Sequence, residues 1–93
     1  MNTKDAFYKK LTTSLDETTT FPAAYLYKFI VPTTEGQEAE VKAIFKNTNA
    51  KIDTKPSKTG KYISISIKLT LASSKEVIAY YKKVEPIKGI ISL

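Results

Sequence analysis

Residues 62–71, YISISIKLTL, alternate along most of their length: Ile63, Ile65, Ile67, Leu69 and Leu71 are apolar, and Ser64, Ser66, Lys68 and Thr70 between them are polar. A period of two belongs to a strand with one buried and one wet face, because successive side chains of an extended chain point to opposite sides. Shifting its pairing by one residue would bring all five apolar side chains into water, so the pattern also fixes a register. A chain built around this strand needs a sheet with one apolar side and elements that cover it.

The flanking sequence supplies them. Residues 24–31, AYLYKFIV, are rich in aromatic and β-branched residues, are apolar on both faces as a central strand is, and end at Pro32. Thr34 is placed to cap a helix in which Val41, Ile44, Phe45 and Thr48 share one face. Glu38 and Lys42 form a favourable pair one turn apart on that helix. Residues 50–56, AKIDTKP, carry charges on alternate positions and close on a proline, as an edge strand does. The loop SKTGK leads into residues 62–71, and Ser73 with Glu76 forms a capping box opening a helix with Val77, Ile78, Tyr81 and Val84 on one stripe. The last seven residues, IKGIISL, read as a final strand.

Ahead of these, Phe7, Tyr8, Leu11 and Leu15 make a helical stripe that Thr3 or Asp5 could cap, and DETTT reads as a linker ending at Phe21-Pro22. The expected organisation is residues 1–20 as an N-terminal helix and linker, and residues 21–93 as a domain of order strand, helix, strand, strand, helix, strand. That order is the split βαβ pattern. With right-handed crossovers it gives an α+β, ferredoxin-like βαββαβ sandwich, an antiparallel four-stranded sheet in the order 4-1-3-2 with two helices on one face. The edge IKGIISL has only Lys88 as a guard, so it needs either the N-terminal stripe as a shield or a second copy of the chain. A shielded monomer is preferred to an edge-paired homodimer.

Composition removes most chemistry. The 93 residues include no cysteine and no histidine, which excludes disulfides, thiolate sites and the commonest general base and metal ligand. All fifteen basic residues are lysine, and nine fall in residues 51–93 against Asp53, Glu76 and Glu85, so the net charge of +6 resides in the second half. Such a surface attracts anions, but lysine lacks the planar fork that reads guanine, and the first role of these charges is solubility. No run approaches the ~20 apolar residues of a membrane span, and the polar start MNTKDAFYKK lacks the apolar core of a secretory signal, so a cytoplasmic protein is expected.

Short motifs fail their structural requirements. Gly60-Lys61 lacks the first glycine and the following hydroxyl residue of a phosphate-binding loop, and a strand follows it. Lys58-Thr59-Gly60 lacks the partner motifs of penicillin-interacting serine enzymes. An RNA-stacking platform wants two aromatics two apart on the third strand, and Ser64 takes the place of the second beside Tyr62. Lys28 in a central strand reads as a solvated residue rather than a Schiff-base amine.

Several residues carry a family resemblance: Phe21-Pro22, Tyr27-Lys28, Lys55-Pro56-Ser57 with Gly60, Tyr62, Ser64 and Ser66, then Tyr81 and the closing Ile90-Ile91-Ser92-Leu93. Over residues 21–93 the chain resembles the YbeD-like family, small bacterial proteins with a domain of unknown function. It departs from the family pattern in having Val31-Pro32 where a glycine follows the Tyr-Lys strand, and in its N-terminal helix. The resemblance implies a ferredoxin-like domain similar in shape to ACT-type regulatory domains, and no known catalytic activity. No catalytic, cofactor-binding or metal-ligating residues are expected. The candidate ligand or partner surface comprises Lys28, Lys55, Ser57, Lys58, Tyr62, Ser64, Ser66 and Lys68. The expected function is a non-enzymatic regulatory or adaptor domain that binds a protein or small ligand; the alternatives are an ACT-like amino-acid sensor and a weak RNA-binding module using the basic second half.

Overall fold

The computed structural model describes residues 3–93. Helix α1 (Thr3–Thr18) precedes strand β1 (Ala23–Pro32), helix α2 (Gln37–Ile44), strands β2 (Lys51–Pro56) and β3 (Tyr62–Leu71), helix α3 (Ser74–Val84) and strand β4 (Ile91–Ser92). The sheet order β2-β3-β1-β4 is the expected 4-1-3-2 read from the other edge. All pairings are antiparallel, and β1 and β3 run side by side over their full length, from Ala23 opposite Leu71 to Pro32 opposite Tyr62.

The alternation in β3 holds at every position: Ile63, Ile65, Ile67, Leu69 and Leu71 are buried. They meet Tyr27, Phe29 and Val31 of β1, Val41 and Phe45 of α2 and its cap, and Val77 and Val84 of α3 in one core. Tyr27 is fully buried, and its phenol donates to the Val77 carbonyl at 2.9 Å, tying the central strand to α3. α3 opens as its capping box requires. The Glu76 amide donates to Ser73 Oγ at 3.3 Å, and the returning carboxylate accepts from the amide of Ala72, one residue before the cap, at 3.2 Å.

Four local expectations are corrected. Only the end of DETTT is a linker: α1 continues to Thr18, the Thr19 amide still donates to the Leu15 carbonyl at 2.9 Å, and Asp16 accepts from the buried Ser74 hydroxyl at 2.6 Å, which ties this last turn to the start of α3. Asp5 lies within the first turn of α1 and does not cap it, and the side chain of Thr3 lies outside the described residues. Thr34 does not cap α2 either. Gly36 occupies that position in a left-handed conformation with no side-chain bond, and the buried Gln37 fixes the loop ahead of the helix instead, its Oε1 accepting from the Glu35 amide at 2.8 Å.

The fourth concerns the C-terminal segment, where β4 is two residues long rather than seven. Ile87 turns into the core instead of lining an edge, and Gly89 reverses the chain at φ +74°, where a Cβ would lie 2.7 Å from Pro32 Cγ. Only glycine fits that approach without strain. α1 packs against α3 through Tyr8 and Tyr81, with the Tyr8 phenol donating to Glu85.

Ile65→Ala or Ile67→Ala is expected to cost about 2–5 kcal/mol in urea unfolding, and Ser66→Ala well under about 1 kcal/mol; equal losses at Ile65 and Ser66 would disprove the register. Asp16→Ala leaves the Ser74 hydroxyl buried without its acceptor and is expected to cost about 1–3 kcal/mol, against about 0.5 kcal/mol or less for exposed Glu17→Ala.

Candidate functional site: the uncovered sheet face

β1 and β3 expose the side chains that alternate with the core, and no described helix covers them: Leu26 is 55% and Tyr62 47% exposed. Directly paired residues share a face, so the register lays this surface out in rows. Lys51, Lys68 and Leu26 form the first; Asp53, Ser66 and Lys28 the second; Lys55, Ser64, Ile30 and Ile91 the third; Tyr62 and Pro32 the fourth. Leu93, whose amide donates to the Lys28 carbonyl at 2.8 Å, extends the second row at the β4 edge.

Six of the eight residues named from sequence, Lys28, Lys55, Tyr62, Ser64, Ser66 and Lys68, therefore stand on one face. Ser57 and Lys58 lie in the hairpin at its end. Ser57 closes that hairpin: its amide donates to the Tyr62 carbonyl at 2.9 Å and its Oγ accepts from the Tyr62 amide at 3.2 Å. Thr33 ties the loop to the end of β1, its hydroxyl donating to the Gly60 carbonyl at 2.6 Å. A shallow depression of about 520 Å³ results, in which Lys55, Ser57, Lys58, Tyr62 and Ser64 meet Ile30 and Pro56.

Sequence reasoning missed Lys51, Asp53, Leu26, Ile30 and Ile91. The signal was present in the strands, but only the pairing of β2 with β3 and of β4 with β1 brings them onto this face. Two groups divide it. Leu26, Ile30, Ile91 and Leu93 form an apolar band along β1 and β4, while Lys51, Lys55 and Lys68 form a basic band along β2 and β3, with Lys28 inside the apolar one. Asp53 is the lone acid. Lys51 and Lys68 face each other directly, an unfavourable like-charge pair, and no lysine of this face joins an ion pair among the described residues. The chemistry on offer is ammonium and hydroxyl hydrogen bonding beside an apolar ledge. Among the described residues no three carboxylates gather as a metal site.

A second concavity lies on the helix side, a cleft of about 410 Å³ between α1, α3 and β4, lined by Phe7, Tyr8, Tyr81, Glu85, Ile90 and their neighbours. The Tyr8 phenol is held well above the ordinary phenol range by burial, then by its hydrogen bond to Glu85 and the negative charge there. Burial likewise raises Tyr81, which shares a hydrogen bond with Tyr25 at 2.8 Å, and raises Tyr27, whose tyrosine neighbours add to the effect.

A family model described as "Protein of unknown function (DUF493)" matches residues 16–92. The solution structure of protein HP0495 from H. pylori is similar in fold, with a TM-score of 0.68 and 19% identity over 82% of this chain and 86% of that one. No curated protein matches the chain.

The raised tyrosines set an alkaline limit. Unfolded phenols ionise near about pH 10, whereas Tyr8, Tyr27 and Tyr81 keep their protons in the folded state, so the stability they contribute is full below that pH and falls above it. Urea titrations are expected to show this fall beginning near about pH 10 and to show a shallower slope for Tyr27→Phe and Tyr81→Phe; an unchanged slope in both would refute the assignment.

Proposed function

The chain belongs to the DUF493 family of proteins of unknown function, and we propose that it works as a non-enzymatic regulatory or adaptor domain that binds a partner protein or small ligand on the uncovered sheet face. One observation carries the reading: the face holds a like-charged lysine pair and an exposed apolar band that the fold does not use. Local features that cost stability without a compensating contact are characteristic of surfaces kept for binding. A catalytic reading lacks its parts, since the chain has no histidine, cysteine or arginine. The reading places the domain in the cytoplasm; no described helix is long and apolar enough to cross a membrane.

A small-ligand sensor of ACT-like type is the second reading, favoured by the cleft between α1, α3 and β4, where aromatic rings and the Glu85 carboxylate converge. The two differ in which residues matter. Affinity capture from cell extract, with mass spectrometry of proteins and metabolites, is expected to lose its specific component with Lys28→Glu/Lys68→Glu and to keep it with Lys46→Glu/Lys75→Glu on the helix side. Capture unaffected by the first pair and abolished by Tyr8→Ala would transfer the function to the cleft.

A further inference from the structure

The two bands of the open face define the chemistry of what it recognises. We infer that the face receives an acidic amphipathic helix of another protein, its apolar stripe on Leu26, Ile30 and Ile91 and its carboxylates on Lys51, Lys55 and Lys68. The inference rests on the reading of this face as the binding surface.

Size comes first. β1 and β3 run together for ten residues, about 33 Å at ~3.3 Å per residue, and a helix of that length has about 20 residues. With its side chains a helix is about 10 Å across and so covers about two strands spaced ~4.8 Å apart. Laid along β1 and β3 it reaches the apolar band with one flank and the basic band with the other. The opposite face of the sheet is already covered in this way by α2 and α3, and helix-on-sheet layering is how an apolar sheet face is normally buried.

Charge decides the occupant. A second copy of this chain carries the same net charge of +6, and its α1 has three lysines against three acids, so neither complements the basic band. A nucleic acid would meet the lysines, but the face has one aromatic, Tyr62, on which to stack a base, and Leu26, Ile91 and Leu93 would remain exposed. Only an acidic partner with an apolar stripe satisfies both bands, and it also relieves the Lys51 and Lys68 repulsion.

The test is an NMR titration of the full isotope-labelled chain with three probes: a synthetic helical peptide of about 20 residues bearing a leucine stripe flanked by glutamates, a scrambled peptide of the same composition, and a single-stranded RNA oligonucleotide. The expected result is saturable shifts at the amides of Leu26, Lys28, Ile30 and Lys68 with the patterned peptide, and binding about tenfold or more weaker for the scrambled one. Lys51→Glu/Lys68→Glu and, separately, Leu26→Ser should each weaken binding about tenfold while the spectra stay dispersed, and added salt should weaken it through the charged band. Equal binding of both peptides, or no shifts with the patterned peptide at millimolar concentration, overturns the inference. RNA shifting the face where the peptide does not overturns the helix and leaves the binding face standing. Shifts confined to α1, α3 and the cleft overturn both.

Discussion

The antiparallel ladder of β1 on β3 is the constraint from which the other arrangements follow. Its rungs pair Tyr27 with Ile67 and Phe29 with Ile65 on the core side, and Lys28 with Ser66 and Leu26 with Lys68 on the other. Because the side-chain period is two, no neighbouring register satisfies both sides. The ladder therefore sorts the strand residues into those that hold the fold together and those free to meet something else. β2 and β4 inherit that sorting, which is why Asp53 and Ile91 share a surface with residues far from them in sequence.

On the covered side, cohesion comes from tyrosine as much as from aliphatic packing. Tyr27 stacks on Phe29 with ring centroids 5.7 Å apart and meets Tyr81 edge-on at 4.9 Å. Tyr81 in turn stacks on Tyr8 of α1. The rings supply buried area and the hydroxyls find partners, Tyr27 in the Val77 carbonyl, Tyr25 and Tyr81 in one another, and Tyr8 in Glu85. No buried side-chain polar atom among the described residues is left without a hydrogen bond. α1 is thus joined to the domain by hydroxyl chemistry as well as by its apolar stripe, and Phe7 of that stripe remains 57% exposed.

What could be read from sequence follows the same division. Residues 62–71 were legible because alternation is a local signal, and Ser73 with Glu76 because a capping box spans a single turn. The sheet order followed from the order of elements and the charges of residues 51–56. Features settled at a distance were not legible. DETTT looked unsupported because the partner of Asp16 is Ser74, on another helix. Thr34 looked like a cap because nothing nearby shows that Gln37 will be buried and bonded to the Glu35 amide. IKGIISL has the composition of a strand throughout, yet Ile87 is buried in the core and Gly89 turns the chain where it passes close to Pro32 at the end of β1. Of the candidate surface, the polar residues were recognisable as a wet face, while the apolar residues beside them passed for core because both kinds are hydrophobic in the same strand.

The shortness of β4 sets how the molecule breathes. Two ladder residues and the bond from the Leu93 amide to Lys28 hold this segment, and Ile91, Ser92 and Leu93 are all exposed. Opening it gives up little buried area, so its amides and those of β1 that pair with it exchange with solvent by local release, while those of the β1–β3 ladder wait for global unfolding. Ile87 stays seated in the core and limits the release to the residues beyond Gly89. The sheet thus has a permanent interior and a detachable margin, and when the margin lifts, the backbone of β1 from Lys28 to Ile30 becomes available as a template on the side next to the open face.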